Sequence, residues 1–418
     1  MRLLVVTQYF SPENFRVNDL VSGLVARGYE VTVLTGQPNY PSGSFFPGYD
    51  WRQPRTEKYA GANVIRVPLF PRGAGGGRRL LLNYLSFVLS ACWGVLFRLP
   101  SGKRFDAIFV FEPSPITVGI PAALARWRYR APVLFWVLDL WPESLVAVGA
   151  VRSPLLLRWV EVLVRWIYRR CDLVLVPSHA FVPEVVRHGV PEAIVRYFPN
   201  WGEAVFDTFP ASAVFADLQK FPPGFRILFA GNIGAAQDFP AIIDAASHLK
   251  ERSDIQWLIL GDGRMADWAR AEVVRRELEH TVYFLGQRPL EEMPRFFAAA
   301  DSLLLSLKSD PTFARTVPGK LQSYLAAGRP VLAMLDGEGA RIVAESGAGF
   351  HCSAGDSNAL AEAVKRLAAM SAGERRRMGC NGREYFLEHF ARERVFDHLE
   401  AWLVELRPTC SNKASKEA

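Results

Sequence analysis

Nearly unbroken apolar runs punctuate the first half of the chain, at Arg2 to Thr7, Glu30 to Thr35, Asn63 to Pro68, Asp106 to Phe111, Val133 to Leu138 and Asp172 to Val176. Helical periodicity fills several of the intervals, as at Arg16 to Arg27. Apolar strands with little alternation, separated by helices, predict a parallel sheet covered on both faces. A Pro-rich, irregular stretch from Pro199 to Pro223 interrupts the pattern. It then restarts, with strands predicted near Phe225 to Ala230, Trp257 to Leu260, Val282 to Leu285, Ser302 to Leu305 and Val331 to Met334. The predicted fold class is α/β, two doubly wound parallel-sheet domains in series. Beyond them, Glu374 to Leu406 reads as two consecutive helices and the polar tail Arg407 to Ala418 as frayed.

Two helical segments of the first half depart from the usual one-sided pattern. Leu80 to Phe97 runs 18 residues without a charge, with Arg78 and Arg79 before it and Arg98 after it. That is the lower limit for a membrane span. Asn83, Ser86, Ser90 and Gly94 interrupt it on one face, which suits a helix partly buried in protein, or one lying at a membrane surface, better than a span. Leu155 to Arg170 carries Arg158, Arg165 and Arg169 on one side and Leu156, Trp159, Leu163 and Ile167 on the other. Such a basic amphipathic helix either rests on anionic lipid or presents a solvated face over an ordinary core stripe.

The length, 418 residues, fits two or three domains at about 150 residues each. With 50% apolar and 22% charged residues, extended disorder is excluded. Charge changes the picture more. Residues 1–200 hold 23 Lys+Arg against 13 Asp+Glu, a balance of +10, while the remaining 26 against 29 give −3. The basic half is therefore the one expected to meet anions: phosphorylated substrate, anionic membrane or nucleic acid. Cys92, Cys171, Cys352, Cys380 and Cys410 show no metal or disulfide spacing, which fits a reducing compartment. The four apolar residues Leu3 to Val6 are too few for a signal-peptide core, so cytoplasmic synthesis and retention are expected.

In an open parallel sheet, ligands bind beyond the carboxyl ends of the strands. Polar residues collect there: Glu13, Asn14 and Arg16 after the first strand, Asn39 and Tyr40 after the second, Glu112 ending the fourth and Asp139 after the fifth. Two acids at neighbouring strand ends form a reasonable general-base or hydroxyl-orienting pair. In the second half, Gly231-Asn232-Ile233-Gly234 with Gln237 runs from a strand into a helix, where backbone amides accept a phosphate. Arg315 and Pro318-Gly319-Lys320 precede another helix and would clamp a diphosphate. Gly261-Asp262-Gly263-Arg264-Met265-Ala266 matches the dinucleotide fingerprint, but the next strand ends in Gly286-Gln287-Arg288 and lacks the ribose-binding acid, which disfavours a dehydrogenase. No Asp-x-Asp, His-x-x-x-His, Gly-x-Ser-x-Gly or Gly-Lys-Ser/Thr occurs, so metal-centre, hydrolase and ATPase readings lose their best support.

The ensemble resembles a GT-B glycosyltransferase of family four, in particular the bacterial O-antigen and capsule branch that handles amino-sugars such as N-acetylfucosamine. The residues that carry the resemblance are Ser11-Pro12-Glu13, Asn39-Tyr40-Pro41, Asp139 to Ser144, Pro199-Asn200-Trp201, Gly231 to Gly234 with Gln237, and Pro318-Gly319-Lys320 through Tyr324 to Pro330. The resemblance implies an acceptor-binding Rossmann-like domain over 1–205, a nucleotide-sugar-binding one over 206–385 facing it across a cleft, and a helix and tail over 386–418 returning to the first. It implies transfer with retention, no metal and no cofactor beyond the UDP-sugar donor. Glycosidases usually supply a carboxylate nucleophile; here the leaving diphosphate would assist the incoming hydroxyl.

By this reading Asp139, Glu112 and Lys320 are catalytic. Gly231, Asn232, Ile233, Gly234, Gln237, Gly261, Gln287, Arg288, Arg315, Pro318, Gly319, Lys320 and Ser323 bind donor, and Glu13, Asn14, Arg16, Asn39 and Tyr40 bind acceptor. The family's paired glutamates appear here as Arg315 and Ser323, its glycine-loop Arg and Lys as Asn232 and Gln237, and its His before Asp139 as Leu138. The expected partners are a nucleotide-sugar, a polyprenyl-diphosphate-linked acceptor and the inner face of the cytoplasmic membrane, with no nucleic acid. A GT-B-fold sugar-nucleotide epimerase and a non-catalytic membrane-associated assembly protein are the alternatives.

Overall fold

The structure, a computed structural model, describes residues 1–51, 55–73, 77–102, 104–147, 151, 153–206 and 222–407. Much of the predicted Pro-rich linker and the tail beyond 407 lie outside them. The chain forms two compact units, Met1–Phe198 with Phe396–Ala418, and Pro199–Val395.

The first unit is built on strands β1 (Arg2–Val6), β2 (Glu30–Gly36), β3 (Arg55–Tyr59), β4 (Ala62–Val67), β5 (Ala107–Glu112), β6 (Val133–Val137), β7 (Leu173–Val176) and β8 (Val195–Tyr197), in the order β3-β4-β2-β1-β5-β6-β7-β8. Every neighbour pair is parallel except β3 with β4. Helices α1 (Arg16–Ala26), α2 (Gly77–Phe97), α3 (Gly119–Tyr129), α4 (Glu143–Ala147), α5 (Pro154–Tyr168) and α6 (Val182–Arg187) connect them. The central strands are buried on both faces, which is why their sequences read as continuous apolar runs. Alternation still sorts the side chains. Leu4 and Val6 join the core beneath α2, α3 and α5, whose Phe87, Ala91, Val95, Ala125, Val164 and Ile167 fill it.

That packing decides what Leu80 to Phe97 is. Its inward face belongs to the domain core, and the buried Asn83 is held by Gln8 (2.7 Å) and the Phe70 carbonyl (2.6 Å). The segment is thus a domain helix with one exposed side. On α5 the expected stripe is only partly inward: Val164, Ile167 and Tyr168 are buried, whereas Leu156 and Trp159 stand in solvent. Burial there follows contact with α3, where Ile167 closes against Gly119, and not the apolar periodicity of the whole helix.

The second unit has strands β9 (Phe225–Ala230), β10 (Ile255–Leu260), β11 (Val282–Gly286), β12 (Ser302–Ser306), β13 (Val331–Met334) and β14 (Gly349–Cys352), all parallel, in the order β11-β10-β9-β12-β13-β14. Its helices are α7 (Phe239–His248), α8 (Ala266–Arg275), α9 (Met293–Ala299), α10 (Pro311–Arg315), α11 (Gly319–Ala326), α12 (Glu338–Ser346), α13 (Ser357–Ala369) and α14 (Ala372–His389). A last helix, α15 (Arg392–Glu405), carries the chain back to the first unit from Phe396 onward. There Asp397 pairs with Arg27 (2.8 Å) and Trp402 packs edge-on to Phe198.

Candidate functional site

In each unit the polar residues gather at the carboxyl ends of the strands, where side chains of successive loops converge. In the first, the loops after β1 and β2 are tied by Glu13. Its carboxyl is almost wholly buried and accepts from the Phe10 (3.0 Å), Asn39 (2.8 Å) and Tyr40 (2.8 Å) amides. Burial raises its pKa to about 7 against the opposing pull of those three amides. Asn39, also buried, accepts from the Arg72 amide (3.1 Å) and donates to the Gln37 carbonyl (2.9 Å). Both residues therefore shape the loops from within.

Those loops carry a cluster of aromatic rings, with Tyr9 buried, Phe15 half-buried and Tyr40 exposed. Tyr9 stacks on Phe15 (5.2 Å between centroids), and Tyr40 tilts against both. The Arg72 guanidinium lies over the Tyr9 and Tyr40 rings and donates to the Tyr9 hydroxyl (3.0 Å). Tyr84 of α2 interacts electrostatically with Tyr9 and Ser114, and Ser114, held at φ 117°, with Asp139, without reaching hydrogen-bond geometry. Asn14 and Arg16 sit at the start of α1, with Asn14 exposed.

Glu112 and Asp139 end in contrasting surroundings. Asp139 accepts from the Trp141 indole (3.1 Å); burial raises its pKa, while that donor and the nearby Ser114 hydroxyl pull it down. Glu112 is fully buried, and neither carboxyl oxygen has a hydrogen-bond partner. The Leu138 and Asp139 amides pull its pKa down without reaching hydrogen-bond geometry. Desolvation, reinforced by the Asp139 charge, prevails and holds it well above the usual carboxylate range.

In the second unit, two glycine turns are stitched together. The Ile233 amide donates to the Asp262 carbonyl (2.8 Å) and the Met265 amide to the Ile233 carbonyl (2.9 Å). Gly261, at φ 141°, passes so close to the Gly231 carbonyl that an added Cβ would lie 1.8 Å from the oxygen. Gly261→Ala is expected to lower stability by about 4 kcal/mol or more, because the obstacle is backbone and the conformation is itself strained. A urea midpoint equal to that of the parent chain would show that the turns do not approach in this way.

Gly231, Asn232, Gly261, Gln287 and Arg288 line a cavity of about 520 Å³. Gln237 lies behind it, accepting from the Gly234 amide (3.2 Å) and from Asn232 (3.4 Å), so a neutral amide pair braces the loop. Ile233 is core. Arg315 closes α10, Pro318 and Gly319 open α11, and Ser323 lies one turn further on, half-buried.

Lys320 is the charge that this arrangement isolates. The Tyr324 hydroxyl on the same helix accepts from the Ala230 amide (3.1 Å), which draws α11 against the end of β9. The Lys320 ammonium is thereby packed over Gly231, where a Cβ would come within 2.4 Å of Nζ, and lies 4.0 Å from the Phe229 ring centre. Nζ is buried with no hydrogen-bond partner, and desolvation lowers its pKa to about 8. A buried ammonium without an acceptor, packed over the Gly231 turn, is suited to an anion. Among the described residues no three His, Cys, Asp or Glu side chains cluster as a metal site.

Comparison with known proteins accords with this geometry. Residues 14–201 match the family described as glycosyl transferase 4-like domain, and residues 224–370 match glycosyl transferases group 1. The chain belongs to the group 1 glycosyltransferases. This glycosyltransferase is 29% identical over 308 residues to a probable glycosyltransferase, WbjE, of Pseudomonas aeruginosa, covering 71% of this chain and 74% of that one. It is 26% identical over 342 residues to WcaI of Escherichia coli (strain K12), described as a colanic acid biosynthesis glycosyl transferase, covering 78% and 82%. Among solved structures, Anabaena Alr3699/HepE in complex with UDP superposes with a TM-score of 0.69 at 15% identity, over 97% of this chain and 100% of that one. The glycosyltransferase therefore shares the GT-B fold of two Rossmann-like domains.

Residues that sequence reasoning passed over are Arg72, Tyr84 and Ser114, together with Arg66. Buried in β4, Arg66 pairs with Glu57 (2.6 Å), donates to the Gly36 carbonyl (3.0 Å) and also reaches the Ser11 carbonyl. An arginine inside an otherwise apolar strand was the available signal for that last one, since a buried charge requires partners.

Proposed function

We propose that this enzyme transfers a hexosyl unit, an N-acetylated deoxyhexosamine, from a UDP-sugar to a lipid-diphosphate-linked acceptor at the cytoplasmic face of the membrane during synthesis of a bacterial surface polysaccharide. The observation that carries the donor half is the buried, unpartnered Lys320 ammonium over Gly231. It calls for an anion such as a diphosphate. The UDP bound by HepE and the colanic acid assignment of WcaI support the donor class and the pathway class. In the proposed reaction the anomeric C–O bond of the donor breaks and its electron pair leaves with UDP. The acceptor hydroxyl forms the new bond on the same face and passes its proton to the departing diphosphate. Lys320 stabilises the charge that develops there. The Tyr9, Phe15 and Tyr40 rings with Arg72 would hold the acceptor.

The test is incubation of purified enzyme with a panel of UDP-sugars, with and without a polyprenyl-diphosphate-linked saccharide. Release of UDP only when donor and acceptor are both present supports the reading. A new sugar-nucleotide formed without acceptor would replace it with an epimerase, and no turnover of any donor would overturn it.

A further inference from the structure

A cavity of about 1200 Å³ in the first unit lies away from the residues just described, at the amino ends of β6 and β7. Its wall carries Arg104, Arg126, Arg128, Arg130 and Arg170 against the single acid Asp172, which is paired with Arg126. Arg170 lies over the Trp166 ring at 3.7 Å, and Arg128 ties the end of α3 to Ser101 (2.9 Å) and to the Leu96 carbonyl. Arg104 and Arg130 form no ion pair among the described residues. Arginines at helix carboxyl ends favour the helix dipole, but that accounts for single caps and not for five cations around one open volume.

The helices that run alongside this cavity are apolar where they should be wet. On α2, Leu81, Leu85, Leu89, Trp93 and Phe97 recur every four residues and are all exposed, Leu89 to 73%. Leu155, Trp159, Val162 and Trp166 form a matching exposed stripe on α5, and Trp127 of α3, 74% exposed, stands beside the cavity. α2 packs on α3 and α3 on α5, so the stripes belong to one helical layer. α2 and α3 contain no acid, and α5 has only Glu161, which pairs with Arg165 (2.6 Å). Arg78, Arg79 and Arg98 frame the ends of α2.

An apolar ridge with tryptophans at its edge, framed by cations, is complementary to a bilayer whose surface is anionic, the ring bodies entering the acyl boundary and the guanidinium groups meeting phosphate. We infer that the α2–α3–α5 layer is a docking surface for an anionic lipid bilayer and that the arginine-lined cavity takes the phosphate of an anionic lipid headgroup. The inference stands apart from the donor site, since none of its residues belongs to the glycine turns or to α11.

The full-length chain is mixed with phosphatidylcholine vesicles, with and without about a third phosphatidylglycerol, and bound protein is measured by flotation alongside tryptophan fluorescence. Binding to the anionic vesicles at least tenfold tighter than to the neutral ones, with a blue-shifted emission, is expected. Arg104→Glu with Arg130→Glu should remove the preference for anionic lipid. Leu89→Ser with Trp159→Ser should reduce binding to both kinds, and all variants should keep the parent melting temperature and UDP affinity. Equal binding to the two vesicle types, or variants that bind like the parent, would overturn the inference. So would a parent chain that light scattering shows to be a dimer without lipid and that the Leu89/Trp159 variant makes monomeric, because the layer would then be covered by a second copy.

Discussion

Lys320→Met is expected to weaken UDP-sugar binding roughly 100-fold while making the unliganded protein more stable. Both effects follow from one cause. Burial without an acceptor brings the ammonium from 10.5 to about 8. At 1.36 kcal/mol per pKa unit, the charged form at pH 7 therefore costs the fold up to about 3 kcal/mol. Methionine fills a similar volume without that cost, so chemical denaturation should show a gain approaching this figure. Loss of the buried cation beside the Gly231 turn would leave a bound diphosphate without that charged partner, and about 3 kcal/mol of lost binding corresponds to the 100-fold stated. The pH dependence fixes the sign independently. Between about pH 8 and 10.5 the unfolded chain holds the Lys320 proton and the folded one does not, so parent stability should rise with pH across that window and be complete above it. Lys320→Met should lack this rise, leaving only the decline from buried thiols such as Cys171, whose pKa burial pushes up to about 12. Nucleotide affinity should run the other way, falling above about pH 8 as binding comes to require proton uptake, which calorimetry in buffers of different ionisation enthalpy detects. A variant that binds UDP-sugar like the parent, or that is less stable at every pH, would remove Lys320 from the donor site.

What the sequence made legible, and what it hid, follows from how far each interaction reaches along the chain. Central strands such as β1, β5 and β10 are buried on both faces and so announce themselves as apolar runs. The strand β3, Arg-Thr-Glu-Lys-Tyr, escaped because an edge strand exposes its side chains and favours charge over apolar content. The short strands β8 and β14 carry only half-buried or exposed residues. Glycine turns were readable because only glycine tolerates such φ values and such close approach, as at Gly231 and Gly261. Arg72 and Tyr84 were not, since their contacts to Tyr9 cross more than sixty positions and depend on where β4 and α2 place them. Glu13 and Asn39 were picked out for their polarity, but burial assigns them to holding the loops, with Tyr40 left at the surface. On α5, periodicity alone could not say which of two apolar sides meets the core, because the answer depends on α3.

The second large effect is expected at the first unit's acid pair, where two carboxyls in contact with each other's field should behave oppositely. Asp139→Asn should lower kcat/KM by roughly 10²–10⁴-fold, the range for loss of a positioned acid–base group, whereas Glu112→Gln should change it little. The reason is the distribution of donors. Asp139 has the Trp141 indole and Ser114 to stabilise its charge, and is only partly buried. Glu112 has no partner on either oxygen and feels the Asp139 charge besides, so the pair resolves with Asp139 ionised and Glu112 protonated. An uncharged glutamine imitates the state in which Glu112 already exists. Linkage gives a second readout. A carboxyl whose folded pKa is raised makes the fold lose stability as pH climbs above its unfolded pKa toward its folded one, and Glu112→Gln should make that decline shallower, leaving the share of Glu13. For activity, kcat/KM should rise with pH on an acid limb lying above the usual aspartate range, and Asp139→Asn should erase that limb. If Glu112→Gln proves as inactive as Asp139→Asn while folding normally, the charge assignment within the pair is reversed. If Asp139→Asn turns over like the parent, the carboxyl does not touch the reacting hydroxyl, and the Tyr9–Tyr40–Arg72 cluster alone would orient the acceptor.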